Sequence, residues 1–165
     1  MDFKKGQVVL VDTNVIIESY RVKCWNVIAD YYALETVEKC VEETQTGAQN
    51  RSPEENIDRA KLINSLTAVH HITEIEKAAF LLRQKIQLDP GERDLLSHAA
   101  GRPDAWIISS PDKAAMRAAL AEGWLDRLVS LESLCSHLKV RLARNLQRNY
   151  TKEWHSVEVV KLRME

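Results

Sequence analysis

Asp12, Glu92 and Asp112 are the acids whose surroundings in the chain suit them for chemistry. Asp12 follows Val8-Val9-Leu10-Val11, an unbroken apolar run that fits a strand buried on both faces of a parallel sheet. Open α/β sheets bind ligands at the carboxyl ends of such strands. Asp112 repeats the arrangement: Ala105-Trp106-Ile107-Ile108-Ser109-Ser110 reads as a second buried strand, ending in Pro111-Asp112 ahead of a helix from Lys113. If these strands are neighbours, both carboxylates emerge at one edge. Glu92 and Asp94 lie just after Asp89-Pro90-Gly91, where Asp89 reads as a helix N-cap and Pro90 as the first helical residue. On a regular helix Glu92 and Asp94 point about 200° apart, so Asp94 reaches a common ion only through a water or an irregular first turn. Crowded carboxylates are costly without a cation, and oxygen donors suit Mg²⁺ or Mn²⁺. The competing reading is structural, with Asp12 only capping the helix that starts near Val15.

The elements that must position these acids alternate between strand and helix. A strand over 8–12 leads into a helix from about 15 to 30, broken near Lys23-Cys24-Trp25. A short strand near 32–36 precedes a helix over 37–44, and 45–50 is polar and loop-like. Ser52-Pro53-Glu54-Glu55 is a capping-box pattern that opens a helix to about Ser65. Val69 to Ile72 is a short strand or a linker. Thr73-Glu74-Ile75-Glu76 is a second capping box, opening a helix to about Gln87. The acidic helix covers 90–100, a strand 105–109 and a helix 112–121, with Gly123 placed to end it. Leu128-Val129 is a last short strand, and Ser130 caps a helix to about Asn149. This order predicts an α/β fold, a three-layer α/β/α sandwich around a mostly parallel sheet.

Taken together, strand-Asp12-Thr13-Asn14-Val15, the helix opening Asp89-Pro90-Gly91-Glu92-Arg93-Asp94 and the late Ile108-Ser109-Ser110-Pro111-Asp112-Lys113 resemble a PIN domain over roughly residues 7–135. The motifs are short; their order and spacing carry the resemblance. It implies an α/β/α metal-dependent nuclease, and many bacterial members are VapC-type toxins that cut RNA. Under it, residues 1–135 form the nuclease domain, and 136–165 are a C-terminal helix and tail packed on it or on a partner. Asp12 then matches the first family acid, Glu92 the third and Asp112 the fourth. Ser110 matches the small hydroxyl residue and Asn14 the polar position after the first acid. Glu43 fits the second acid best and Glu38 is its substitute. The set Asp12, Glu43, Glu92 and Asp112 would be catalytic, and Asp12, Glu92, Asp94 and Asp112 would hold Mg²⁺ or Mn²⁺. Asn14 and Ser110 would support them through hydrogen bonds. The implied activity is endoribonuclease cleavage of RNA, with a small antitoxin protein as partner if the chain is a toxin. The alternative is a catalytically weak module on the same fold that binds RNA or a protein.

Composition bounds the other classes. The chain has 165 residues, 45% hydrophobic and 28% charged, with a formal net charge of −1, so it carries no global basic field. No apolar stretch approaches the roughly 20 residues of a membrane span, and the N-terminus lacks a signal-peptide core. Cys24, Cys40 and Cys135 are odd in number and widely spaced, which suits free buried thiols in a reducing cytoplasm. No Cys/His spacing marks a zinc site, and the adjacent His70-His71 reads as structural, its rings on opposite faces of a strand. No Gly-rich loop follows the first strand, which excludes dinucleotide and P-loop sites. A receiver domain would show a second acid beside Asp12.

The C-terminal region predicts a surface of its own. Arg141, Arg144 and Arg148 recur at helical spacing, opposite Leu138, Leu142 and Leu146. The basic stripe is either an RNA-backbone contact or a solvated helix face. Ser156 to Leu162 has the composition of a strand, a dimer arm or a disordered tail. Its apolar content, with that of the preceding helix, predicts a homodimer or a stable heterocomplex.

Overall fold

The computed structural model describes residues 2–46 and 56–165. Strand β1 (Val8–Val11) runs into α1 (Thr13–Arg21), and α2 (Trp25–Tyr31) leads to β2 (Ala33–Val37). Helix α3 (Glu38–Thr46) follows with no connection between. Next come α4 (Arg59–Ser65), β3 (Ala68–His70), α5 (Glu74–Arg83), α6 (Pro90–Ala100), β4 (Trp106–Ser109), α7 (Lys113–Ala121), α8 (Leu131–His137) and α9 (Lys152–Arg163). The four strands form one all-parallel sheet in the order β3-β2-β1-β4. Leu128 adds a parallel bridge to Ile108 where a last short strand was expected.

Alternation along the strands sends side chains into two cores, one on each face of the sheet. Val9, Val11 and Ile107 join a cluster with residues of α1, α2, α4 and α8. Leu10, Trp106 and Ile108 join a second cluster with residues of α5, α6, α7 and α9. Both faces are therefore covered, which is why the strands read as continuous apolar runs. The architecture is α/β with helices on both sides of a parallel sheet.

Local signals set several boundaries. The break between α1 and α2 falls at Lys23, whose φ of 60° is left-handed. The expected capping box at Thr73 closes in both directions with Glu76, although α5 ends at Arg83 rather than near Gln87. Gly123 has a φ of 79° and ends α7. The pattern Ser52-Pro53-Glu54-Glu55 lies outside the described residues; α4 starts later, capped by Asp58, whose Oδ1 accepts from Lys61 N at 3.0 Å.

The C-terminal region departs from expectation twice. The helix capped by Ser130 stops at His137, and Lys139 turns left-handed with φ 54°. Beyond it the backbone finds tertiary partners: Ala143 N donates to Val22 O at 3.0 Å and Gln147 N to Glu18 Oε2 at 2.8 Å. Arg21 Nη2 donates to Asn145 O at 2.7 Å. Those bonds replace the helical ladder, so Leu138, Leu142 and Leu146 pack singly against the core instead of forming a seam. Arg141 and Arg144 lie in irregular chain and Arg148 in a 3-10 turn, so the three make no helical stripe. The strand-like tail is helical. Thr151 Oγ1 accepts from Trp154 N, and Glu158 and Leu162, one turn apart, are buried. Leu162 packs into the second core, and this packing overrides the β-propensity of Val157, Val159 and Val160. Both features that motivated the expected dimer thus take another form.

Candidate active site

The carboxyl ends of β1 and β4 adjoin. Val11 pairs with Ser109, so Asp12 and Ser110 fall opposite each other one step beyond the strands. Ser110 Oγ donates to Asp12 Oδ2 at 2.7 Å, and Asp12 Oδ1 accepts from Val15 N at 2.8 Å. Asp12 therefore caps α1 with one oxygen and reaches across the strand pair with the other. Asp112 caps α7 in the same manner, its Oδ1 accepting from Ala114 N at 2.8 Å and Ala115 N at 3.0 Å. Capping and site chemistry are compatible here, because each cap occupies only one oxygen of the carboxylate.

Helix α6 brings Glu92 to the same place. Asp89 N donates to Glu92 Oε2 at 3.3 Å, which folds Glu92 back over the helix start. From α3, Glu43 Oε1 accepts from Thr13 Oγ1 at 3.3 Å. Gly91 permits this approach, since a Cβ there would collide with the Glu43 carboxylate. Asp12, Thr13, Asn14, Glu43, Asp89 and Glu92 line a cavity of about 140 Å³. It has room for an ion with a few waters but not for a nucleotide, so a nucleic acid would lie across its mouth.

Electrostatics record the crowding. Burial pushes the Asp12 carboxyl up to about 6 against the pull of its two hydrogen bonds, and Asp112 and Glu43 add repulsion. Burial pushes Glu92 up to about 8, with Asp112 the strongest charged contributor and Asp12 and Asp89 behind it. Glu43 is raised by burial and by the neighbouring Asp89 and Glu42 carboxylates. Among the described residues, no three of these acids bring carboxylate oxygens within 4.8 Å of one another. The donor set is all oxygen, crowded without a counter-charge, and fits a hard divalent cation of the Mg²⁺ or Mn²⁺ class.

Asp94 is not in this cavity. It pairs with Arg93 at 3.0 Å and Lys77 at 3.8 Å, on the far side of α6. Its two-residue offset from Glu92 sends it there, away from Asp12. Glu38 also points away, to His71 Nδ1 at 2.9 Å on the surface. Arg141, Arg144 and Arg148 are outside the cavity lining. Thr13 and Asp89, beside Asp12 and Glu92 in the chain, also line the cavity, whereas Ser110 and Asp112 are outside its lining, Ser110 reaching it through its bond to Asp12.

A second polar cluster lies apart from this cavity, built from residues with no common sequence spacing. Glu35 of β2 accepts from His70 Nε2 at 2.6 Å and from Arg102 Nη1 at 2.8 Å. The His70 and His98 rings stack with centroids 3.8 Å apart. Burial alone would raise the Glu35 carboxyl, but Arg102 and His70 outweigh it and hold it low. Burial, with the charges of His70 and Arg102, holds His98 down to about 4.

Compared with known families, curated proteins and solved structures, this chain finds no match. Its geometry stands by itself.

Proposed function

We propose that this protein is a PIN-like, metal-dependent endoribonuclease that hydrolyses RNA phosphodiester bonds. The observation that carries this reading is the acidic cavity of Asp12, Glu43 and Glu92, with Asp112, just past the strand paired to that of Asp12, near enough to repel both Asp12 and Glu92. Asp12, Glu92, Asp112 and Glu43 would hold Mg²⁺ or Mn²⁺. Such an ion supplies an activated water and charge stabilisation at the scissile phosphate. The protein's own part is to pre-place the oxygens. Ser110 orients Asp12 by donating to Oδ2, and the α1 and α7 amides orient Asp12 and Asp112 through their caps. Thr13 fixes Glu43 in the same way. With its carboxyl pushed up to about 8, Glu92 would give up a proton to bind a cation, so binding would be coupled to proton release.

As the toxin of a toxin–antitoxin pair, the protein would be inhibited by a small partner that covers this cavity. Among the described residues no helix is long and apolar enough to cross a membrane.

The spread of the carboxylate oxygens beyond 4.8 Å favours one second reading, a catalytically weak module that binds RNA or a protein on the same fold. Cleavage of single-stranded RNA with Mg²⁺ or Mn²⁺ separates the two. The nuclease reading expects cleavage that EDTA abolishes and that Asp12→Asn and Asp112→Asn lose. Metal-independent cleavage, or full activity in both variants, overturns it. Mn²⁺ binding at the cavity without turnover on any RNA supports the binding module.

A further inference from the structure

We propose that Glu35, His70 and His98 form a transition-metal site, of the Zn²⁺ class, that Arg102 fills as a resident cation when no ion is bound. Each of the three residues offers a ligand atom, and these atoms lie within 4.8 Å of one another. They come from three elements, β2, β3 and α6, tied together by the sheet and the core beneath it. Two imidazoles and a carboxylate select zinc or a neighbouring transition ion over Mg²⁺, which prefers oxygen. The site is independent of the acidic cavity, whose donors are all oxygen.

The hydrogen bonds assign the protons. Arg102 is only a donor, so the His98 Nε2 that meets its Nη1 at 3.1 Å is an acceptor whose lone pair faces the guanidinium. Glu35 is only an acceptor when ionised, so His70 Nε2 carries the hydrogen of their 2.6 Å bond. The Arg102 guanidinium thus touches two of the three ligands and supplies the positive charge that Glu35 requires, its side chain 7% exposed. Arg102 also holds Asp104 at 2.6 and 2.8 Å, so it has a partner to keep when it leaves the ligands. A cavity of about 540 Å³ adjoins the cluster, lined by Ser97, Gly101 and Glu76 among others, and gives an ion a way in and a water a fourth position.

Ion entry would displace the guanidinium, and a neutral His70 ring would move its hydrogen from Nε2 to Nδ1 to free the Nε2 lone pair, with no net loss of a proton. The ligand atoms would close to about 3.3 Å, the edge of a tetrahedral zinc site, and the imidazole stack would tilt open. The bound ion would pin α6 to β2 and β3, along the helix that carries Glu92 at its other end.

The test is Co²⁺ and Zn²⁺ titration of the full chain in excess Mg²⁺, followed by the visible absorption of tetrahedral Co²⁺, by calorimetry and by melting. The expected result is one Co²⁺ per chain, displaced by Zn²⁺, and a higher Tm in Zn²⁺. His70→Ala and His98→Ala should each weaken binding by at least about a hundredfold, as loss of a direct ligand exceeds the usual effect of its supporting groups. Arg102→Gln should bind on the order of tenfold tighter, because no charge-assisted bonds need breaking. Asp12→Asn should leave Co²⁺ binding unchanged. Circular dichroism of each variant verifies folding, and Arg102→Gln keeps the test decisive if a histidine variant fails to fold. No Co²⁺ binding by the native chain, retention in both histidine variants, or no tightening with Arg102→Gln overturns the proposal. So does loss of binding with Asp12→Asn, which would put the ion in the acidic cavity.

Discussion

Ser110 Oγ and Asp12 Oδ2, from residues 98 apart in the chain, meet at 2.7 Å across the ends of two paired strands. This bond joins the two acid-bearing strand ends, β1 with Asp12 and β4 with Asp112. It also gives the buried Asp12 an acceptor role whether or not a cation is near.

Asp12→Asn should fold. The amide keeps an oxygen for the Val15 N–H, and removing a charge relieves repulsion from Asp112 and Glu43. Its Tm in EDTA should equal or exceed that of the native chain. Asp12→Ala loses the cap and should cost about 1 kcal/mol. Metal-dependent RNA cleavage should fall at least about a hundredfold in either variant, the effect of losing roughly 3 kcal/mol of transition-state stabilisation. Thermal melts beside cleavage rates check this, and a large loss of Tm in Asp12→Asn would make Asp12 a structural residue.

Glu92 should make the metal-free protein less stable as pH rises. Its carboxyl ordinarily titrates at 4.5 and is pushed up to about 8 in the fold, so the native state holds a proton that the unfolded chain has lost. The associated stability is complete below 4.5 and disappears as pH climbs through about 8. Asp12 acts in the same direction between 3.8 and about 6. His98 opposes them between about 4 and 6.5, since it is neutral when folded and charged when unfolded. Above 6.5 the exposed His71, held up by Glu38, acts in the same direction as Glu92 and the lowered Cys24 thiol opposes it, so comparison with Glu92→Gln is what separates the Glu92 contribution. Melts in EDTA should show Tm declining from 6.5 to about 8, with the slope reduced by Glu92→Gln and by saturating Mg²⁺. An unchanged slope in Glu92→Gln would contradict the crowding.

Gly91→Ala should uncouple activity from folding. The new Cβ meets the end of the flexible Glu43 side chain, which can swing aside, and alanine favours the helix by about 1 kcal/mol. We expect Tm close to native and cleavage reduced as far as in Glu43→Gln. In a Glu43→Ala background the same substitution should raise Tm. A melt of the single and double variants beside their cleavage rates decides it; native activity in Gly91→Ala would remove Glu43 from the site.

Asp94→Asn and Glu38→Gln should leave the RNA-cleavage rate within about twofold of native, far short of the several kcal/mol attached to a direct ligand. Both carboxylates are paired outside the cavity, with Arg93 and His71. A hundredfold loss in either variant would mean that α6 or α3 rearranges when an ion binds.

Local signals made much of this protein legible. Val8 to Val11 and Trp106 to Ser109 are recognisable as buried strands because helices cover both faces of the sheet and every side chain is apolar or small. The Thr73 capping box, Gly123 and the break near Lys23 are short-range events, complete within a few residues. Glu92 and Asp94 could be told apart by helical geometry alone. Tertiary structure decided the rest. Backbone bonds to Val22 and Glu18 ended the expected helix after His137, and burial of Leu162 made a helix of a valine-rich tail. The cluster of Glu35, His70 and His98 was invisible for a related reason. Its ligands lie 35 and 28 residues apart, too far for any spacing rule, and only the pairing of β2 with β3 beneath α6 brings them together. Periodicity and capping propagate along the chain, whereas a site built across a sheet exists only once the strand order is set.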